Sequence, residues 1–72
     1  MDFSEYISVD PHACGGKPFF KGTQVTVQQV LELLEAGVSV DDLISEKHFP
    51  QLTRRHVCAA LDYAAKLLES PE

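Results

Sequence analysis

The side chains best suited to chemistry stand together once, at Thr53-Arg54-Arg55-His56. Two guanidinium groups, a hydroxyl and an imidazole follow one another there with no acid among them. Guanidinium groups bind phosphate, or a guanine edge through two parallel hydrogen bonds. If a helix starts at this point, its free amides add to the capacity for phosphate. Lys17 and Lys21 are the other bases placed to touch a nucleic-acid backbone. Both also suit an edge strand that must resist pairing with other chains. The candidate DNA-contacting set is therefore Arg54, Arg55, Thr53 and His56, with Lys17 and Lys21 at the phosphates.

The remaining reactive side chains do not assemble into a familiar site. His12 and Cys14 are close in sequence, while His48, His56 and Cys58 lie further on. Zinc sites favour Cys-x2-4-Cys or His-x3-5-His pairs, and neither is present, so no metal is expected. His56 and Cys58 are two apart on a helix and point to different faces. Cys58, near an apolar stripe, reads as a small core residue. Gly15-Gly16-Lys17-Pro18 suggests a phosphate loop but fails its pattern. No glycine stands five residues before Gly16, and proline replaces the hydroxyl residue that would meet the metal. A turn feeding an edge strand is the simpler reading. Glu32, Glu35, Asp41 and Asp42 look like solvated faces rather than a paired acid and base. The expectation is a protein that is not an enzyme and carries no cofactor.

The elements that must position these groups follow from periodicity and punctuation. Tyr6 to Val9 is short, β-prone and closed by Asp10-Pro11. Lys17 to Lys21 is a second candidate strand, limited by Pro18 to an edge or an opening position. Thr26-Val27-Gln28-Gln29 has the pattern of a capping box. Behind it Val27, Val30, Leu31 and Leu34 recur on one helical face. Gly37 suits the left-handed position past the end, so helix one spans Val27 to Ala36. Ser39 caps helix two, Val40 to Lys47, with Asp41 and Asp42 favourable at its positive end. Thr53 caps helix three, Arg54 to Glu69, with Val57, Leu61, Ala64 and Leu68 as its inward stripe. Phe19, Phe20, Phe49 and Tyr63 close the small core, or one or two of them anchor a dimer. The expected fold is mainly α: a β-like segment over residues 1–25, then a three-helix bundle of helix-turn-helix type over 26–69, in one domain spanning 1–72. Met1 to Ser4 and Ser70 to Glu72 are expected to fray.

Seventy-two residues give a thin core, and chains of this size often complete it with a second copy or a partner. Hydrophobic residues make up 44% and charged residues 24%, which argues against wholesale disorder. The net charge of −5 argues against a polybasic nucleic-acid or membrane binder when the chain is taken whole. Its distribution qualifies that. Residues 25–52 hold five acids and one base, whereas residues 53–72 hold three of each. The start carries no signal-peptide pattern, no apolar run is long enough for a membrane span, and two cysteines make no disulfide framework. The expected location is the cytoplasm.

Taken in order, the motifs also resemble a known family. Gly16-Lys17-Pro18-Phe19-Phe20-Lys21-Gly22-Thr23-Gln24-Val25-Thr26-Val27 resembles the opening signature of the family catalogued as domain of unknown function four-three-three. Leu33 to Ser39, Phe49-Pro50-Gln51-Leu52-Thr53 and Val57 to Ala65 continue the likeness, which covers about residues 6–66. The family is similar to VapB-like antitoxins of type II toxin–antitoxin systems. The resemblance implies a bacterial or archaeal origin and a homeodomain-like three-helix fold, usually dimeric. It also implies a partner of the PIN-like nuclease class, with binding to the protein's own operator DNA. Two departures stand out. Gln24 replaces the family's usual arginine, and Arg54-Arg55-His56 is more basic than the pattern requires.

The leading expectation is thus an antitoxin that binds a PIN-like nuclease toxin and its own operator, as a homodimer. The alternative is a protein-interaction or dimerisation module that leaves DNA alone, favoured by the acidity of helices one and two. Antitoxins commonly engage toxins through a C-terminal segment that folds on binding. Here only Ser70-Pro71-Glu72 follow helix three, so toxin contact is expected on the globular surface or the β segment.

Overall fold

The computed structural model describes residues 3–69. Phe3–Glu5 forms a single 3-10 turn and leads into strand β1 (Ile7–Ser8). A second such turn at Cys14–Gly16 leads into β2 (Phe19–Phe20). Helices α1 (Val27–Glu35), α2 (Val40–Leu43) and α3 (Arg54–Glu69) follow. The chain is mainly helical, with a small antiparallel two-stranded sheet at its N-terminal end.

Both strands are shorter than their β-prone runs, because turns claim the flanks. Ile7 pairs with Phe20 and Ser8 with Phe19. After Ser8, the Asp10 carboxylate accepts from the His12 amide at 2.8 Å, and the chain turns. Phe20 and Thr23 close a tight turn, N to O 3.0 Å, with Gly22 at φ +79° where a side chain would be strained. The returning chain bridges Phe19 to Thr26 and so delivers Thr26 to the start of α1.

There the capping box forms in full. The Gln29 amide donates to the Thr26 hydroxyl at 3.1 Å, and the Thr26 amide donates to Gln29 Oε1 at 2.9 Å. α1 ends at Glu35, with Ala36 as its cap residue. Gly37 at φ +96° closes it, the Gly37 amide donating to Leu34 and the Val38 amide to Leu33.

α2 is one turn long, not the eight residues from Val40 to Lys47 that the sequence suggests. Its carbonyls are diverted. The Leu43 carbonyl, which would receive Lys47 in a longer helix, accepts from the Phe49 amide at 2.9 Å. The Ser45 hydroxyl takes the Asp42 carbonyl at 2.6 Å, and the Lys47 amide turns to Ser45 Oγ at 3.2 Å. Serine competes with the helix for its own backbone groups, and here it wins.

The core lies where the sheet, α1 and the first half of α3 meet. Phe20, Val30, Leu43 and Val57 are fully buried, with Ala59 and Ala60 closing the α3 side. Two expectations about α3 are corrected. Leu61 is 50% exposed and Leu68 87% exposed, so neither belongs to the inward stripe. Cys58 is also exposed rather than a core residue. Alanine lets elements approach closely, and burial of Ala59 and Ala60 rotates the inward face away from Leu61 and Cys58. The amino end is corrected too. Phe3 packs its ring edge-on against Tyr63, centroids 5.1 Å apart, and is not frayed. Met1, Asp2 and residues 70–72 lie outside the described residues. Among the described residues, no helix is long and apolar enough to cross a membrane.

Candidate functional site

The four candidates at the start of α3 are adjacent in sequence but face different surroundings. Thr53 supplies the carbonyl that accepts from the His56 and Val57 amides, at 3.0 and 3.3 Å. The expected cap is inverted in one respect. The Thr53 hydroxyl meets His56 Nδ1 at 3.0 Å, and the Thr53 amide donates to the same nitrogen at 3.0 Å. The imidazole thus takes the place that glutamine or glutamate holds in a capping box.

His56 is therefore anchored rather than presented. Its ring lies edge-to-face with Tyr6 and Phe20, at 5.0 and 5.5 Å between centroids. Burial of the ring lowers its pKa below the usual 6.5, because the charged form loses hydration. Acceptance of the Thr53 amide by Nδ1 points the same way, since a protonated Nδ1 has no lone pair to offer. The neutral Nε2–H tautomer is the form that fits.

Arg54 pairs with the Asp41 carboxylate at the start of α2, both groups being exposed. That pair ties α3 to α2 and offsets one of the two arginine charges. Arg55 is exposed and makes no ion pair or hydrogen bond among the described residues. Lys21 closes the sheet's end, its amide donating to the Tyr6 carbonyl at 2.8 Å. Tyr6 touches His56, so Lys21 belongs to the same side of the molecule as the start of α3. Lys17 belongs to a different place. It borders an open cavity of about 770 Å³ beside the glycine turn, together with His12, Cys14, Gln24 and Gln29. Cys14, Gly15 and Gly16 there have φ of +52°, +66° and +80°, an unusual left-handed run that opens with a non-glycine residue.

A second concavity is lined mainly by apolar side chains. It is a groove of about 390 Å³ between α1 and α3. Val27, Leu31, Tyr63, Leu67 and Pro18 form an apolar floor, and Gln28, Glu32 and Glu35 form one rim. The rim residues recur at i, i+4 and i+7, and Gln28 Nε2 donates to Glu32 Oε2 at 3.0 Å. The i, i+4, i+7 acids and amide were legible in the sequence. Their position over an apolar floor required α3 to be placed.

A family model described as a protein of unknown function, DUF433, matches residues 7–64. The chain belongs to DUF433. The match spans the sheet, the glycine turn, α1, α2 and most of α3, so Lys17, Lys21 and Thr53 to His56 fall within it, while Leu67 of the groove lies beyond it. No curated protein and no solved structure matches the chain significantly.

Proposed function

We propose that this DUF433 chain is a protein-interaction module of antitoxin type. In this reading the groove between α1 and α3 receives a basic amphipathic segment of a partner protein. The observation that carries it is the groove's composition: an apolar floor of Leu31, Tyr63 and Leu67 beside a rim with Glu32 and Glu35. An apolar stripe of a partner helix fills such a floor, and its lysines or arginines meet the rim. The net charge of −5 acts in the same direction, steering a basic partner at low salt. A PIN-like nuclease toxin is the partner class that the antitoxin resemblance suggests, with both proteins in the cytoplasm.

The test is co-purification of the product of the adjacent reading frame with the tagged chain. Retention by wild type, loss with Glu32→Lys/Glu35→Lys and survival with Arg55→Ala support the reading. Equal retention by the charge-reversed variant refutes it.

A second reading is favoured by one feature, the exposed Arg55 at an acid-free helix start. In it α3 is the recognition helix of a homeodomain-like arrangement and contacts operator DNA. Arg55 leads, Lys21 meets a phosphate, and Arg54 joins only if Asp41 releases it. Binding of the upstream DNA fragment that disappears with Arg55→Ala, and persists with Glu32→Lys, supports this reading. Equal binding by wild type and Arg55→Ala overturns the assignment.

A further inference from the structure

The open cavity beside the glycine turn takes no part in either reading above. It holds about 770 Å³, a volume within the range of small-molecule sites. No residue that lines it also lines the groove between α1 and α3. One wall is the glycine turn, and the other is the returning chain with the first turn of α1. Cys14 joins the two walls, its thiol donating to the Gln24 carbonyl at 3.8 Å. That contact requires a side chain at φ +52°, a conformation that glycine would adopt with less strain.

The chemistry of the cavity is one-sided. Lys17, His12, Gln24 and Gln29 bring nitrogen donors to it, and no aspartate or glutamate lines it. The chain has eleven acids against six bases, so a cavity without an acid is a departure from the rest of the surface. The neighbouring acids are engaged elsewhere. The Asp10 carboxylate accepts from the His12 amide, and Glu32, the first acid of α1, accepts from Gln28 at the groove. The donors themselves are free. Among the described residues the side chains of Lys17, His12 and Gln24 make no hydrogen bond or ion pair. Gln29 spends only its Oε1 on the capping box, which leaves its Nε2 for another acceptor. The Cys14 and Gly15 amides donate to no group among the described residues. α1 begins at this wall, and the positive end of its dipole adds to the same field.

We propose that this cavity binds a nucleoside monophosphate, with Lys17 as the counter-charge of its phosphate group. The number of donors selects the anion. A carboxylate offers two oxygens and one charge, whereas a phosphate monoester offers three oxygens and nearly two charges. Volume and lining select the rest of the ligand. A phosphate group alone fills only a small part of the cavity, and half-buried Phe19 gives the remainder an aromatic surface on which a base can stack. The mode differs from that of the phosphate loop whose spacing Gly15-Gly16-Lys17-Pro18 lacks. The turn leads into β2 rather than into a helix, and the helix that faces the anion is α1, further along the chain. Lys17 is thereby a residue of a small-anion site and not a contact to operator DNA.

An NMR titration of the whole chain with adenosine 5′-monophosphate, inorganic phosphate and adenosine tests it. The monophosphate is expected to shift the Cys14, Gly15 and Lys17 amides with a Kd of about 1 mM or below. Lys17→Ala is expected to weaken it by about tenfold or more, the loss of one charge-assisted hydrogen bond. Gln24→Arg is expected to tighten it, since a second cation then faces the phosphate. Both positions are exposed, so neither change disturbs the core. Absence of shifts at about 10 mM monophosphate overturns the site. So does equal affinity of wild type and Lys17→Ala, or shifts that map away from the glycine turn. Adenosine that binds as well as its monophosphate overturns the role of the phosphate. Inorganic phosphate that binds as well overturns the nucleoside and the part given to Phe19. None of these outcomes bears on the groove between α1 and α3, so the partner reading stands or falls separately.

Discussion

The first half of α3 and its second half are built from similar residues and used in opposite ways. From His56 to Ala60 the helix is locked. Its imidazole is hydrogen-bonded to Thr53 and held between Tyr6 and Phe20, while Val57, Ala59 and Ala60 are buried. From Leu61 onward the leucines stand in solvent: Leu61, Leu67 and Leu68 are all at least half exposed. The sheet and α1 are too short to cover both halves. A 16-residue α3 runs beyond a nine-residue α1, and its surplus turns offer surfaces rather than core. The lesson is that hydrophobicity alone does not separate stabilising residues from recognition residues in a chain this small.

The contrast is broken most severely by removing what holds the first half. Phe20→Ala deletes a fully buried ring that touches His56, at a cost of about 3–5 kcal/mol. Leu68→Ala, measured in urea at concentrations where the chain is monomeric, is expected to change stability by less than about 0.5 kcal/mol. Comparable losses at the two positions would erase the distinction between the halves. Overpacking sharpens it next. Ala60→Leu is expected to cost about 1–3 kcal/mol, because three added carbons must be admitted at a fully buried position. Ala65→Leu, at an exposed position, should leave the urea midpoint of the dilute protein nearly unchanged.

A smaller effect is expected from acid. The folded pKa of His56 is lowered, so the unfolded chain takes up its proton first. The contribution of the neutral imidazole is complete above the unfolded value of 6.5 and is lost as pH falls from there through the lower folded value. Denaturation of wild type against His56→Asn across that range isolates it from the carboxylates. A wild type whose pH slope below 6.5 matches that of His56→Asn would show that the ring titrates freely. The smallest effect belongs to the ion pair at the tip of the locked half. Arg54→Ala is expected to cost under about 1 kcal/mol, since both Arg54 and Asp41 are exposed. High salt should shrink the difference further. A loss of several kcal/mol would mean that the α2–α3 link is structural rather than superficial.

Local signals were enough for everything that depends on neighbours in the chain. Thr26 and Gln29 announce the start of α1, Gly37 its end, and the Arg54 to Glu69 helix keeps the bounds its composition suggests. The DUF433 motifs, too, are strings of adjacent residues and can be read without coordinates. Helix α2 is shorter than its sequence suggests because Ser45 takes the Asp42 carbonyl and Phe49, from across a loop, takes the Leu43 carbonyl. The inward face of α3 is not legible in the sequence, because Val57, Leu61, Ala64 and Leu68 satisfy helical spacing as well as the buried set does. Periodicity specifies which residues share a face; it does not say which face has something to pack against. That was decided by the reach of α1 and the sheet. They stop short of the end of α3, and they turn His56 inward, leave Arg55 outside, and leave Leu61 and Leu68 bare.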